Sequence, residues 1–218
     1  MTGPLTRSGE RVFFRGGTGK IETVIDLPAG FPGEGSVEPR GIALVAHPHP
    51  LFGGSLDNKV AQTLAKVFAE LGYASLRPNF RGTGESEGEH DNGQGETADM
   101  VGLAEQARAR FGELPLVLAG YSFGAFVQSR VALEIAPERM VLVAPPAGRI
   151  AAGRSYATER VPAGTIVIHG EKDETVPLAN VFDWARSQEL PIVVVPGADH
   201  FFHRRLRLIR DIIRGQWH

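Results

Sequence analysis

The stretch AGYSFGAF, residues 119–126, places one serine between two aromatic residues and two glycines. An aliphatic run leads into it and a segment with helical spacing follows it. A G-x-S-x-G motif between a strand and a helix is typical of a very sharp turn that exposes the serine hydroxyl at the carboxyl end of the strand. Side chains at Gly120 and Gly124 would collide with neighbouring elements. The motif therefore predicts that Ser122 is a nucleophile and that the next amide, that of Phe123, donates to an oxyanion.

Strand and helix patterns alternate on both sides of this turn. Short apolar runs predict strands at 11–14, 21–27, 41–46, 73–76, 115–119, 140–144, 165–169 and 192–195. Apolar residues with helical spacing predict helices at 56–71, 97–111, 124–135, 178–189 and 203–217. The first two strands flank the turn GGTGK and predict an antiparallel hairpin, and FPGEGSVEPR at 31–40 is expected to be a surface loop.

The order of these elements predicts an α/β fold. Strand followed by helix, several times over, is typical of a mostly parallel sheet covered by helices on both faces. The leading hairpin makes the first edge of that sheet antiparallel. No linker divides the 218 residues, so we expect a single domain over 1–218.

Composition excludes several classes of protein. A net charge of -2 gives no field suited to nucleic acid or to an anionic membrane. No apolar run approaches the roughly 18 residues of a membrane span, and the N-terminal residues contain no signal-peptide core. The absence of cysteine excludes disulfides and thiolate metal sites. We therefore expect a soluble, cytoplasmic protein with no nucleic-acid or membrane partner. The sequence leaves open whether the protein forms a homodimer.

A serine hydroxyl needs an adjacent base that is itself oriented by a carboxylate. On a sheet of this kind both partners follow later strands, in the order Ser, acid, His. The stretch TIVIHGEKDETVP ends a strand and places Asp173 on the following loop. Glu171 and Glu174 are alternative acids nearby, and position relative to the strand end favours Asp173.

The base is predicted from the last strand. IVVVPGADHFF ends that strand and places His200 on its loop. His203 and His169 are the alternatives, although His203 is predicted at the start of the final helix and His169 is interpreted as a structural histidine at a strand end. Asp199 adjoins His200, but sequence neighbours rarely present their side chains for an imidazole–carboxylate bond.

Five segments of the chain, which occur along it in the same order as in the family, resemble the motifs of the α/β-hydrolases. GYSFG resembles the nucleophile turn of that family, HGEKDETVP its acid loop, GADHFF its histidine loop, HPHPLFGG its oxyanion loop and RPNFRGTGESEG its R-G-x-G-x-S motif. The resemblance runs from about Gly41 to the C-terminus. HPHPLFGGSLDNKV with GYSFGAF is similar to a small, lidless bacterial group of serine hydrolases. The chain is also similar to dienelactone hydrolases, but their nucleophile is a cysteine, which this chain lacks.

The resemblance also predicts the surroundings of the nucleophile. Proline has no N–H, so in HPHPLF the second oxyanion donor is predicted to be the amide of Leu51, with that of His49 as the alternative. His47 is expected to brace the loop. A metal site at His47 and His49 is disfavoured, because the paired prolines restrict the chain and no Asp-His follows at the spacing of zinc hydrolases. The predicted pocket residues are His49, Phe52, Tyr121 and Phe201. Phe123 and Phe126 are further candidates for its lining, with a place in the core favoured for Phe126.

The implied activity is hydrolysis of small carboxylic esters through an acyl-serine intermediate, with no metal and no organic cofactor. The partner is then a small-molecule, ester-like substrate. Residues 145–164 are too few for a helical cap, so an open pocket is expected. Arg77 and Arg81 are interpreted as structural, with a substrate carboxylate as the alternative. A thioesterase or peptidase on the same three residues, and a catalytically silent interaction protein, remain as alternative functions.

Overall fold

The computed structural model describes residues 9–29 and 38–217. Its strands are β1 Glu10–Gly16, β2 Gly19–Asp26, β3 Gly41–Ala46, β4 Tyr73–Pro78, β5 Leu116–Tyr121, β6 Arg139–Val143, β7 Gly148–Arg149, β8 Ser155–Tyr156, β9 Ile166–Gly170 and β10 Ile192–Val195. Its helices are α1 Lys59–Glu70, α2 Gln94–Phe111, α3 Phe123–Glu134, α4 Leu178–Arg186 and α5 Leu206–Gln216. Most of the predicted loop at 31–40 lies outside the described residues.

Eight of the strands form one sheet in the order β1-β2-β4-β3-β5-β6-β9-β10. The pairs β1–β2 and β2–β4 are antiparallel, and every other pair in this sheet is parallel. The predicted α/β fold with an antiparallel first hairpin is therefore confirmed. In the centre of the sheet β3 and β5 are buried along their whole length, because helices cover both faces.

Alternation along β5 separates the two cores. Val117 and Ala119 face the cluster that contains residues of α1 and α5. Leu116 and Leu118 face the cluster that contains residues of α2 and α3. Successive side chains of a strand point to opposite faces, so a short continuous apolar run is sufficient to anchor helices on both sides.

Local hydrogen bonds explain where the helices depart from their predicted bounds. The spacing predicted the first helix from residue 56, but α1 begins at Lys59 because the side chain of Asn58 accepts from the amides of Val60 and Ala61. α2 begins at Gln94, three residues earlier than predicted, and the buried carboxylate of Glu96 accepts from the amide of Gly93.

Residues 145–164 form no helical cap, in agreement with the sequence prediction. They contain the two-residue strands β7 and β8, which pair antiparallel and were not predicted. Strands of this length carry no periodicity that a sequence pattern can detect. No helix in the described ranges has both the length and the apolar character needed to cross a bilayer.

Candidate active site

Ser122 occupies a single-residue turn between β5 and α3. Its backbone has φ 53° and ψ -122°, a conformation that non-glycine residues rarely adopt. A Cβ atom at Gly120 would lie 2.4 Å from the oxygen of Gly124, and one at Gly124 would lie 2.3 Å from the oxygen of Ala46. Both neighbours are backbone atoms, so only glycine fits at either position, as the sequence predicted.

His200 bridges Ser122 and Asp173. Its Nε2 lies 3.1 Å from Oγ of Ser122, and its Nδ1 lies 2.8 Å from Oδ2 of Asp173. An ionised carboxylate only accepts hydrogen bonds, so Nδ1 carries the hydrogen and Nε2 is left as an acceptor for the serine hydroxyl. The structure therefore brings together the three residues that the sequence predicted, from loops separated by up to 78 positions.

The loop after β9 fixes the carboxylate of Asp173. Oδ1 accepts from the amides of Thr175 at 2.9 Å and Val176 at 2.7 Å, which leaves Oδ2 for the imidazole. The two alternative acids are exposed instead. Glu171 accepts from the amide of Gly197 at 2.7 Å. Burial and proximity to the ring thus distinguish Asp173 from both neighbours.

A tyrosine positions the loop that carries His200. The hydroxyl of Tyr121, the last residue of β5, donates to the carbonyl oxygen of His200 at 2.9 Å. Burial, together with the charges of Asp173 and Asp199, raises the pKa of Tyr121. The alternative base His203 is exposed and bonds Asp199, with 2.5 Å between Nδ1 and Oδ2. Asp199 therefore pairs with His203, and His200 is left to Asp173.

A second histidine lies behind the carboxylate, where the sequence predicted only a structural residue. Nε2 of His169 donates to the carbonyl oxygen of Val176 at 3.0 Å and lies 3.5 Å from Oδ2 of Asp173. Burial is the main cause that lowers the pKa of His169. The ring is therefore held neutral beside the loop that positions the acid.

His47 joins two loops below the site. Nδ1 donates to the carbonyl oxygen of Pro48 at 2.6 Å, and Nε2 accepts from the amide of Phe80 at 2.9 Å. Complete burial lowers its pKa to about 4, so the ring is neutral and both nitrogens are used. The predicted bracing role agrees with these contacts.

The two predicted oxyanion amides on this loop differ in their surroundings. The amide of Leu51 donates to Nδ1 of His49 at 3.3 Å, and the Leu51 side chain is 71% exposed. The amide of His49 has no acceptor among the described residues, and His49 faces the cavity that contains Ser122. Leu51 does not line the Ser122 cavity, and its N–H is engaged inside its own turn.

A cavity of about 390 Å³ opens above Ser122. All four predicted pocket residues, His49, Phe52, Tyr121 and Phe201, line it together with His200. Phe52 and Phe201 are 62% and 59% exposed, so the rim is aromatic and open. Phe123 and Phe126 line a neighbouring cavity instead, although Phe126 also packs in the core as predicted.

Sequence reasoning missed the residues that the β7–β8 hairpin contributes. Ala151, Ala152 and Arg154 lie in its connecting turn and line the Ser122 cavity. The amide of Ala151 donates to the carbonyl oxygen of Thr175 at 3.0 Å, which ties the hairpin to the acid loop. The turn lies far from the motifs in sequence, and only the small residues flanking Arg154 signalled a turn.

The two arginines of the R-G-x-G-x-S region are structural. Nε of Arg77 bonds Asp26 at 3.1 Å, and Nε of Arg81 bonds Asp99 at 2.8 Å. All four side chains are largely buried, and neither arginine lines the Ser122 cavity. Within residues 9–29 and 38–217, no group of three or more His, Asp or Glu side chains is arranged to hold a metal ion.

Comparisons with known proteins agree with this architecture. The family model described as serine aminopeptidase, S33, matches residues 51–157. A Xanthomonas campestris structure described as an α/β serine hydrolase without lid is 35% identical, with 98% of this chain and 96% of that chain covered and a TM-score of 0.86. An α/β serine hydrolase homologue from Coxiella burnetii is 32% identical, with 99% of this chain and 100% of that chain covered and a TM-score of 0.85. Dienelactone hydrolase from Anabaena variabilis, at 18% identity, 95% coverage of both chains and a TM-score of 0.71, shares the fold.

Proposed function

Because this chain belongs to the α/β-hydrolase superfamily, among serine hydrolases without a lid, we propose that it cleaves small carboxylic esters through an acyl-serine intermediate. One observation carries the proposal. Hydrogen bonds run without interruption from Ser122 through His200 to Asp173 at the floor of an open cavity.

The proposed reaction has two halves. Oγ of Ser122 attacks the carbonyl carbon of the ester while its proton passes to Nε2 of His200. The tetrahedral intermediate collapses, the bond to the alcohol oxygen breaks, and His200 returns the proton to that oxygen. Water then attacks the acyl-serine with the same base, which releases the acid and restores the hydroxyl. Asp173 keeps the imidazole in the required tautomer and stabilises its positive form.

Two backbone amides are the proposed oxyanion donors. The amide of Phe123 is the first of α3 and lacks an acceptor within the helix. The amide of His49 is the proposed second donor, in place of that of Leu51, because the Leu51 amide already bonds Nδ1 of His49. In comparable enzymes the loss of one such donor lowers kcat by about 10²–10³.

The cavity favours small substrates. Its volume of about 390 Å³ is near the lower end for small-molecule sites. The aromatic rim at Phe52 and Phe201 suits an apolar acyl or alcohol group. No cap formed by the described residues lies over the cavity to shield a long acyl chain of a substrate from water. Hydrolysis of p-nitrophenyl esters should therefore be faster with short acyl chains than with long ones, and a clear preference for long chains would count against this pocket.

The charge of the cavity argues against an aminopeptidase, although the family model carries that description. An N-terminal ammonium group needs a carboxylate for binding. The lining of the Ser122 cavity contains Arg154 and, among the described residues, no carboxylate. In the neighbouring cavity the carboxylate of Glu159 is opposed by Arg130 and Arg154. Thioesters share the acyl-serine route, so a thioesterase is tested alongside by comparing thioesters with esters of the same acyl chain.

Labelling with a fluorophosphonate probe tests the nucleophile. Intact mass should show one adduct on the wild-type protein and none on Ser122→Ala, and hydrolysis of p-nitrophenyl acetate should disappear in the same variant. Ser187→Ala is the matched control, because Ser187 is an exposed serine at the end of α4. Labelling that survives Ser122→Ala would refute the proposal.

A further inference from the structure

A second cavity lies beside the one that contains Ser122. Its volume is about 290 Å³, and it shares the lining residues His49 and Arg154 with the first cavity. Phe123, the residue after Ser122, lines it as well. A substrate held at Ser122 therefore has room to extend past His49 and Arg154 into this second space.

The walls of the second cavity are aromatic. The ring of Phe126 lies 5.9 Å from that of Phe123 and 5.1 Å from that of Tyr156, measured between centroids. Aromatic groups at these separations pack favourably with a further apolar segment. The cavity thus suits a hydrocarbon portion of a substrate.

Charge in this cavity is predominantly positive. Arg130 and Arg154 line it, opposed by the single carboxylate of Glu159. Neither arginine forms an ion pair with any residue in the described part of the chain. Burial lowers the pKa of His49 to about 4, and the charges of His90 and Arg154 add to that effect, so His49 contributes no charge at neutral pH. An anionic substrate group is therefore favoured here.

Arg154 is held at the junction of the two cavities. Its guanidinium lies 4.3 Å from the ring centre of Phe52, and its Nε donates to the carbonyl oxygen of Ala151 at 3.4 Å. Beyond these contacts and an interaction with Tyr156, its N–H donors have no acceptor among the described residues. A guanidinium has five donors in a planar fork that matches a carboxylate.

The position of His200 decides which part of an ester reaches Arg154. The leaving oxygen takes its proton from His200, which lines only the Ser122 cavity. The carbonyl oxygen points to the proposed oxyanion amides of His49 and Phe123, and the acyl chain leaves the reacting carbon on the side away from His200. Both of those residues line the second cavity.

Resting on the proposed function, we propose that the enzyme prefers esters whose acyl chain ends in a carboxylate, and that Arg154 binds that carboxylate. The substrate class is then monoesters of dicarboxylic acids. The hydrocarbon chain lies along the aromatic wall, and the terminal anion meets the guanidinium.

A matched pair of esters tests this preference. The p-nitrophenyl monoester of adipic acid and p-nitrophenyl hexanoate have the same chain length, and only the first ends in a carboxylate. The wild-type ratio of kcat/KM, adipate over hexanoate, should exceed one. A hydrogen-bonded charge pair corresponds to a change of about 10- to 100-fold, so the ratio should fall by that factor in Arg154→Met and recover in part in Arg154→Lys.

Arg149→Met is the matched control, because Arg149 is exposed in the same hairpin and lines neither of the two cavities. Its ratio should equal that of the wild type. A second measurement needs no variant: adipate should inhibit wild-type hydrolysis of the hexanoate ester more strongly than hexanoate does, and added salt should weaken that difference.

Each outcome decides the inference. A wild-type ratio at or below one, equal inhibition by the two acids, or a ratio unchanged by Arg154→Met overturns the role of Arg154. If the hexanoate ester is still cleaved in a Ser122-dependent way, the proposed function survives that result. If the wild type cleaves neither ester, the proposed function and this inference fail together.

Discussion

Replacement of Asp173 by asparagine tests the role of the acid most directly. In the wild type, Oδ1 accepts from two amides and Oδ2 accepts from Nδ1 of His200. The carboxamide oxygen of the variant must stay with the two amide donors, because an NH₂ group cannot accept. Its NH₂ group therefore faces Nδ1 of His200, which must give up its hydrogen. The ring then carries its hydrogen on Nε2 and cannot accept the proton of Ser122.

The size of the effect follows from the lost charge. A carboxylate and an imidazolium separated by 2.8 Å interact by about 6 kcal/mol at an effective dielectric constant of about 20. With the positive charge centred in the ring, about 4 Å away, the value is about 4 kcal/mol. Since about 1.4 kcal/mol corresponds to a tenfold change in rate, kcat should fall by about 10³–10⁴. The same substitution in the Ser-His-Asp template has an effect of this order.

The assay is hydrolysis of p-nitrophenyl acetate at about pH 7.5, where an imidazole with an ordinary pKa is mostly unprotonated. Circular dichroism and thermal unfolding establish that Asp173→Asn is folded. Glu174→Gln removes one carboxylate from the same loop at an exposed position and should retain kcat within about twofold. A fall of less than about tenfold in a folded Asp173→Asn variant would show that the carboxylate neither sets the tautomer nor stabilises the imidazolium.

Three further predictions concern the scaffold and the oxyanion donors. The pKa of His47 is lowered from 6.5 to about 4, so the unfolded chain binds more protons than the folded chain between pH 4 and pH 6.5. The free energy of unfolding of the wild type should therefore decrease as the pH falls from 6.5 toward 4, by up to about 3 kcal/mol. The decrease should be smaller in His47→Gln. Urea unfolding measures this, and equal pH slopes in both proteins would contradict it. Gly124→Ala should lower the free energy of unfolding by more than about 2 kcal/mol, because the new Cβ would lie 2.3 Å from a backbone oxygen. Gly102→Ala should raise the free energy of unfolding by about 0.5–1 kcal/mol, because the new Cβ has open space around it. Replacing the backbone amide of His49 by an ester, through incorporation of the matching α-hydroxy acid, should lower kcat by about 10²–10³. The same replacement at Leu51 should lower kcat by less than about tenfold. A larger loss of kcat at Leu51 than at His49 would identify the Leu51 amide as the donor.

The sequence predicted the parts of this protein that depend on local constraints. A buried strand of about five residues must be apolar, and a turn at Ser122 must have glycine on both sides, because a Cβ at either position meets backbone atoms. Such requirements leave a pattern in the chain itself, so the sheet, its helices and the loops that carry Ser122, Asp173 and His200 were predictable. Helix ends were less predictable, since capping by Asn58 or Glu96 depends on the hydrogen bonds of a single side chain.

Only the tertiary structure decided which neighbouring groups take part in the site. Asp199 and Asp173 are both carboxylates near an imidazole in sequence, and folding gives the first to His203 and the second to His200. The sequence does not reveal that the Leu51 amide bonds Nδ1 of His49, and nothing in the sequence around Arg154 indicated that it lines the Ser122 cavity. Local sterics are encoded by residues close in the chain, whereas hydrogen-bond partners and charges are selected by distances between segments that meet only after the sheet has formed.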